Sequence, residues 1–441
     1  MTRVIIAATP IYGHVAPLRT IAADLVRRGE QVTFLTGSGF RASVEQAGAR
    51  FVALPGEADY DIAELIARHP ERAGLAPGVP ALSWDLAHLF IRPIPLQHAA
   101  LQELLREQGG GPVAVLHDTS FAGVMPVVLG APGIRPDAVI GIGIMPLTIA
   151  SADTAPFGLG LPPDASPEGR ARNTAANRAM RGAFAGVQRL AAEAVRAAGA
   201  TRELPFLFDA GVMVPDRYLH LSVEGLEYPR SDAPATMRFV GALPDERSAR
   251  PAPLPGWWPE VEAAGRVVVV TQGTVANRDL SELIEPALAA LAGLDVLVVA
   301  TLGRDARLSS VPANARVAGF IPFAELLPHA SVLVSNGGYG GVQQALRYGV
   351  PLVLAGQSED KAEVTARTAW TGAAINLATQ RPPAADIRSA VQRVLGTPAY
   401  KERAAELSRQ YAKHDTLAEI HATISEVIAQ RTAQPEPPLR G

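Results

Sequence analysis

The 441-residue sequence contains no cysteine. That absence excludes disulfides, thiolate-ligated metal and a cysteine nucleophile, and it fits a reducing, cytoplasmic setting. Neither sign of charge dominates, since 40 Lys and Arg against 43 Asp and Glu leave a net charge of −3. A phosphate-backbone surface has no electrostatic basis in that balance, so no nucleic-acid partner is expected. Long apolar runs are missing too. The opening MTRVIIAATPIYGHVAP turns polar too soon for a signal peptide or a membrane span, and the chain reads as cytoplasmic. The nine histidines are scattered, with no HExxH and no His cluster, so no dedicated metal site is expected.

What is present is an alternation of short β-branched runs with longer amphipathic stretches, the pattern of βαβ units in a parallel, doubly wound α/β sheet. The first half carries VIIAA (4 to 8), VTFLT (32 to 36), RFVAL (50 to 54), AVLHD (114 to 118) and AVIGIGI (138 to 144). Between the first two, Leu18, Ile21, Ala22 and Leu25 recur at helical spacing and the pattern stops at Gly29. A second series follows the turn-rich EGLEYPRSDAPA: MRFVG (237 to 241), VVVVTQG (267 to 273), DVLVVATL (295 to 302), ARVAGF (315 to 320), SVLVSN (331 to 336) and LVLAGQ (352 to 357). The proline-rich DERSARPAPLPGWWPE between the first two reads as a surface linker. The expected organisation is one domain over residues 1–225, a second over 236–400, a C-terminal helix over 401–430 able to pack back on the first domain, and a flexible tail over 431–441.

Ligands of such sheets bind outside the carboxyl ends of the strands, so the motifs there carry the functional reading. SVLVSNGGYGGVQQAL runs from a strand through Gly337, Gly338, Gly340 and Gly341 into a helix. Glycine costs roughly 0.5–1 kcal/mol relative to alanine inside a helix or strand, so four of them there point to close backbone approach by a ligand. Unpaired N–H groups and the positive dipole end make a helix start an anion site, usually for phosphate. A tight strand-to-helix turn is the alternative, and the motif is neither a P-loop nor GxGxxG. Gly273 and Thr274 end another strand, where they line the same diphosphate or form an ordinary turn. Glu359, Asp360 and Lys361 follow LVLAG; carboxylates there suit sugar hydroxyls, and a solvated charge run is the plainer reading. His14 falls directly after the first strand, where it can act as a base, and Asp118 ends a strand of the same sheet, where it can orient that imidazole. His117 is expected to point to the other face.

These motifs, in this order, resemble the nucleotide-sugar-dependent glycosyltransferases of the GT-B fold, family 1, especially the bacterial macrolide and antibiotic type. GHVAPLRTIAADLVRRGEQVTF is similar to that family's GHxxP…LAxxLxxRGHxV, and HDTSFAG to its LxxD segment. GFIPFAELLPHASVLVSNGGYGGVQQALRYGVPLVLAGQSEDK is similar to WVPQ…LLP…HGGxxTxxEAL…GVPxxxxPxxxDQ. The resemblance spans nearly the whole chain. It implies two doubly wound domains facing across a cleft and an inverting, metal-independent hexosyltransferase. The co-substrate is a UDP or dTDP sugar, with no cofactor, and the acceptor is an apolar hydroxylated small molecule. It further implies that His14 is the general base and Asp118 its partner. The amides around residues 337 to 341, with Gly273 and Thr274, would hold the leaving diphosphate. Phe320 and Phe323 would hold the nucleobase, Gln344 the ribose, and Glu359, Asp360 and Lys361 the sugar. Ile11, Tyr12, Trp84, Phe90 and Phe121, with the 151 to 165 loop, would wall the acceptor pocket. This sequence departs from the pattern at five positions: Asn336 stands where histidine is usual, Phe320 and Phe323 where Trp and Gln are, Gln344 where Glu is, and Lys361 where Gln is. A sugar-nucleotide epimerase of the same fold and a catalytically reduced nucleotide-sugar-binding auxiliary protein are the alternatives. A monomer or a homodimer is expected. A dinucleotide oxidoreductase is disfavoured, because the first strand leads into GHVAPL and not GxGxxG.

Overall fold

The computed structural model describes residues 2–107, 109–244, 253–273, 279–303, 308 and 310–433. The β-branched runs form two sheets, and every pairing in both is parallel. The first contains β1 (Arg3–Ala7), β2 (Gln31–Thr36), β3 (Arg50–Ala53), β4 (Val113–Asp118), β5 (Ala138–Gly143), β6 (Arg217–His220) and β7 (Met237–Phe239), in the order β3-β2-β1-β4-β5-β6-β7. The second contains β8 (Val267–Thr271), β9 (Leu297–Thr301), β10 (Ala315–Ala318), β11 (Ala330–Ser335), β12 (Leu352–Leu354) and β13 (Ala374–Asn376), in the order β10-β9-β8-β11-β12-β13. Each order reverses direction once, between β1 and β4 and between β8 and β11. A crevice opens at such a reversal because the connections leave to opposite faces of the sheet.

Helices cover both faces of each sheet, which is why the central strands are apolar along their whole length and do not alternate. In β1, Val4 and Ile6 pack with Leu18, Ile21 and Leu25 of the first helix, Tyr12–Arg27. The intervening Ile5 and Ala7 pack on the other face with Leu101, Leu104 and Leu105 of the helix Ile94–Glu107.

Two departures from the strand pattern have a common cause. Met237–Phe239, read above as the first strand of the second series, pairs with β6 and closes the first sheet. β6 and β13 carried no strand reading at all. Runs of three or four residues hold too little periodicity to state which sheet receives them. Of the linker segment, residues 245–252 lie outside the described residues. The C-terminal stretch divides into two helices. Pro398–Tyr411 buries Ala404, Leu407 and Tyr411 in the second domain, and Thr416–Ala433 buries Ile420, Ile424 and Val427 against the first. Arg238 forks onto Glu426 at 2.7 and 2.9 Å, and His421 meets Glu30 at 3.0 Å. Residues 431 to 433, placed in a tail above, continue this helix, and 434–441 lie outside the described residues.

The two domains are joined by a buried polar cluster around Glu227. Its carboxylate accepts from the Leu147 amide at 3.2 Å and the Tyr339 hydroxyl at 3.3 Å, lies 3.1 Å from His220 Nε2, and faces Arg367 at 3.4 Å and Arg230 at 3.7 Å. Tyr339 and Arg367 belong to the second domain and the other partners to the first. Burial works against ionisation of Glu227, but Arg367, His220 and Arg230 outweigh it and hold the carboxyl down to about 2. A carboxyl depressed on folding contributes stability that is whole above its unfolded value of 4.5 and is lost as the pH falls toward 2. We predict that wild-type unfolding free energy, followed by urea titration from pH 7 to pH 3, falls more steeply than that of Glu227→Gln, by an amount on the order of 2 kcal/mol. Parallel pH profiles for the two proteins would contradict this.

Candidate active site

The site assembles at the two strand-order reversals. Parallel pairing of β1 with β4 sets Ala7 beside His117, so the residues just past the ends of these strands are neighbours. Ile11 is extended, and the first helix begins at Tyr12, placing His14 in its first turn above β1. Asp118 is the last residue of β4 and is fully buried. Three donors fix its carboxylate: the Thr9 amide on Oδ2 at 2.7 Å, and the Thr9 hydroxyl and Ser120 amide on Oδ1 at 3.3 and 2.8 Å. His14 Nδ1 then approaches Oδ1 at 2.8 Å. Burial alone would raise the Asp118 pKa, yet it lies below the usual range because His14 and these hydrogen bonds favour the charged form. An ionised, wholly buried acceptor selects the tautomer with hydrogen on Nδ1 and leaves His14 Nε2 able to take a proton. His14 is 16% exposed, and the ring of Phe90 stands 6.1 Å from it, carried on the π-helical segment Leu86–Ile91. His117 is buried facing away, its Nδ1 donating to the Asp118 carbonyl at 2.9 Å.

On the opposite side, the ends of β8, β11 and β12 meet. Gly337 has φ +83°, and a Cβ there would stand 2.5 Å from Thr365 Cγ2, so this glycine is required by the turn itself. Gly338 caps the helix Tyr339–Arg347 without a side-chain hydrogen bond. Nothing lies within 4 Å of a Cβ built on Gly340, and Gly341 would meet only Phe323, at 3.7 Å. Side-chain space is therefore open along this first turn, which lies near Gly273 (φ +74°) at the end of β8, Cβ atoms built on Gly273 and Gly338 both approaching Asn336 Oδ1. Thr274 lies outside the described residues.

Asn336 is nearly buried, and its Nδ2 donates to the Gln272 carbonyl at 2.6 Å. Its side chain thus ties the end of β11 to that of β8, which commits one of the donors that the usual histidine would offer to phosphate. Gln344 likewise donates to the Leu243 carbonyl at 3.2 Å, leaving Oε1 without a partner among the described residues. Phe320 is 62% exposed, a free aromatic face beyond β10. The run Glu359-Asp360-Lys361 resolves into a pair and a single acid. Lys361 is buried and bonds Glu359, whereas Asp360, at the start of the helix Lys361–Trp370, has no side-chain partner among the described residues. Burial raises the Asp360 pKa, Lys361 offsets part of that, Glu359 adds to it, and His14 acts on it across the cleft. Asp360 thus lies within electrostatic reach of His14.

One acceptor residue was misplaced by the sequence reading. Phe121 is wholly buried among Leu101, Val115 and Val124, because the turn after Asp118 directs its ring into the core. Trp84 stacks on His88 at 3.9 Å and meets His69 edge-on at 5.4 Å, in an aromatic cluster of its own. Ile11 is half-buried and Tyr12 is 53% exposed at the rim near His14. The sequence reading also missed Thr9, which orders Asp118, and Gly356, where a Cβ would stand 2.1 Å from the Asn336 carbonyl. Neither position carries a spacing signal of its own.

Residues 285–427 match the family described as the erythromycin biosynthesis protein CIII-like C-terminal domain. Over 436 residues the chain is 47% identical to UDP-glycosyltransferase 2 of Phaeomoniella chlamydospora, covering 97% of this chain and 96% of that protein. It is 41% identical to 4'-demethylrebeccamycin synthase of Lentzea aerocolonigenes, covering 95% and 97%. This chain belongs to the family 1 glycosyltransferases of the GT-B fold. The solved structure of the glycotransferase of kitacinnamycin shares that fold, with a TM-score of 0.70, 22% identity, and coverage of 97% of this chain and 98% of that one. The enzyme is a hexosyltransferase that moves a sugar from a nucleotide sugar onto small-molecule natural products. Neither the epimerase nor the auxiliary-protein alternative gains support from these comparisons. No helix of the glycosyltransferase, among the described residues, is long and apolar enough to cross a membrane.

The glycines separate by substitution. Gly337→Ala should destabilise the free enzyme by about 1–3 kcal/mol through backbone strain and the Thr365 clash. Gly340→Ala should stabilise it by roughly 0.5–1 kcal/mol. Urea unfolding of both variants tests the assignment, and equal effects would refute it.

Proposed function

We propose that this glycosyltransferase inverts the anomeric configuration of a UDP-linked hexose, which it transfers to a hydroxyl of an apolar natural product. The observation that carries the mechanism is the 2.8 Å contact of His14 Nδ1 with buried Asp118, with Asp360 across the cleft. His14 Nε2 removes the acceptor hydroxyl proton, Asp118 stabilises the imidazolium, and the oxygen attacks the anomeric carbon from the face opposite the diphosphate. Asp360 accepts hydrogen bonds from sugar hydroxyls and fixes the ring. The amides at the start of the helix Tyr339–Arg347 stabilise charge on the departing diphosphate, and Gly273 lies near them. These donors do the work a metal ion would otherwise do, so the reaction needs neither metal nor cofactor. Phe320 offers its face to the nucleobase, and Gln344 Oε1 accepts from a ribose hydroxyl. Phe90, Ile11, Tyr12 and the loop over residues 151 to 165 wall the acceptor pocket. Names among the relatives, such as UDP-glucosyltransferase B1 of Starmerella bombicola, favour UDP over dTDP. The enzyme acts in the cytoplasm as a monomer or homodimer, without nucleic acid.

His14→Ala should lower the transfer rate roughly 10²–10⁴-fold, the range for a positioned general base. UDP affinity, measured by calorimetry, should stay within about twofold. An unimpaired rate in that variant would overturn the mechanism. In a thermal-shift series, UDP should raise the melting temperature more than dTDP or GDP at equal concentration, and Gly340→Ala should shrink the UDP shift. A larger shift with dTDP would reassign the donor.

A further inference from the structure

The segment that follows β5 is anchored in its own domain, with the Ala150 amide on Asp209 and Asn177 donating to the Ser151 and Thr154 carbonyls, and it is also held by the second. At its base, Arg367 Nη2 donates to the Leu147 carbonyl at 3.0 Å. At its tip, Glu363 Oε1 accepts from the amides of both Gly158 and Gly160, each at 2.7 Å. Both glycines have left-handed backbones, φ +99° and +60°, and a Cβ on Gly160 would stand 3.2 Å from the Ala362 carbonyl. Only glycine lets the loop lie this close to the helix while turning two amides toward one oxygen. Glu363 Oε2 faces Arg367 at 3.4 Å, and both side chains are almost wholly buried. One carboxylate is thus divided between an arginine of its own helix and a loop more than 200 residues away in sequence.

The place of Glu363 on its helix gives this tie its meaning. It lies one turn beyond Asp360, with its amide bonded to the Asp360 carbonyl at 3.0 Å. The same helix therefore carries the sugar-facing acid at its start and the loop anchor one turn in. The strap itself exposes Leu159 and Leu161, and Phe157 lies under Arg367 with the guanidinium 6.0 Å from the ring centre. We propose that Glu363 is a positioning residue through which an occupied donor site orders the acceptor loop, so that the second domain helps select an apolar acceptor. This rests on the reading above of the 151 to 165 loop as an acceptor wall.

The test uses the full chain, UDP-glucose, and the planar phenol 4-methylumbelliferone as acceptor probe, with hydrogen exchange of residues 147 to 161 followed in parallel. Glu363→Ala should raise the acceptor KM about tenfold or more, as loss of a charge-assisted hydrogen-bond pair implies, and leave the donor KM within about twofold. Loop exchange should quicken by a similar factor, and the slowing of that exchange by UDP in the wild type should vanish. Glu363→Gln, whose Oε1 still accepts both amides, should recover most of the acceptor KM. A purely structural role would lower the melting temperature without separating the two KM values. The proposal is overturned if loop exchange is the same in wild type and Glu363→Ala, if UDP does not slow it in the wild type, or if both KM values rise together. Should the wild type transfer no glucose to the phenol, the acceptor reading fails for that compound, and the exchange measurements alone judge the strap: loss of the UDP effect in Glu363→Ala supports it, and persistence overturns it.

Discussion

Two independent parallel sheets form one active site only if their carboxyl ends are held facing each other, and here a single buried carboxylate, that of Glu227, is the centre of the hold. It receives Tyr339 from the second domain's glycine-rich helix, Arg367 from the helix headed by Asp360, and His220 and Arg230 from the first domain. A buried charge without partners is costly, so these groups settle together or not at all. Both helices of the proposed donor site are thereby referenced to the domain that carries His14.

Within that frame the chemistry depends on strand order. Each sheet reverses once, and the loops that follow the two strands flanking a reversal diverge to leave a crevice. In the first sheet the residues at and past those strand ends are Thr9, His14 and Asp118, and the histidine and two backbone amides together keep the buried acid charged. In the second sheet they are Gly273 and the run from Asn336 to Gly341, where one glycine serves the turn and another leaves room for a ligand. The same topological device thus brings the proposed base to one side and the proposed diphosphate donors to the other.

Much of this was legible in the residues. Continuous apolar runs ending in small or polar residues marked most of the strands, and their alternation with helical periods marked parallel sheets, because a strand covered on both faces has no polar positions to show. The adjacency of His14 and Asp118 followed from one standing after the end of a strand and the other closing a strand of the same sheet. Phe121 illustrates where such reading stops. It lies three residues beyond Asp118 in a similarly polar stretch, but the turn there sends its ring into the core, and side-chain direction in a turn has no periodic signature. Asn336 and Gln344 mark a second limit: no local pattern showed that each amide also donates to a backbone carbonyl 64 or 101 residues away.

By itself the sequence determined the class of fold, the strand ends at which to look, and the motif order that places the chain in its family, since those depend on local periodicity and short spacings. Tertiary structure alone decided that Met237–Phe239 closes the first sheet, that Glu359 and Lys361 pair off and leave Asp360 single, and that the last helix returns to the first domain. It alone also brought Gly158 and Gly160 onto Glu363. Each of these is a contact between segments distant along the chain, fixed by which surfaces are buried together, and no local pattern records the partner.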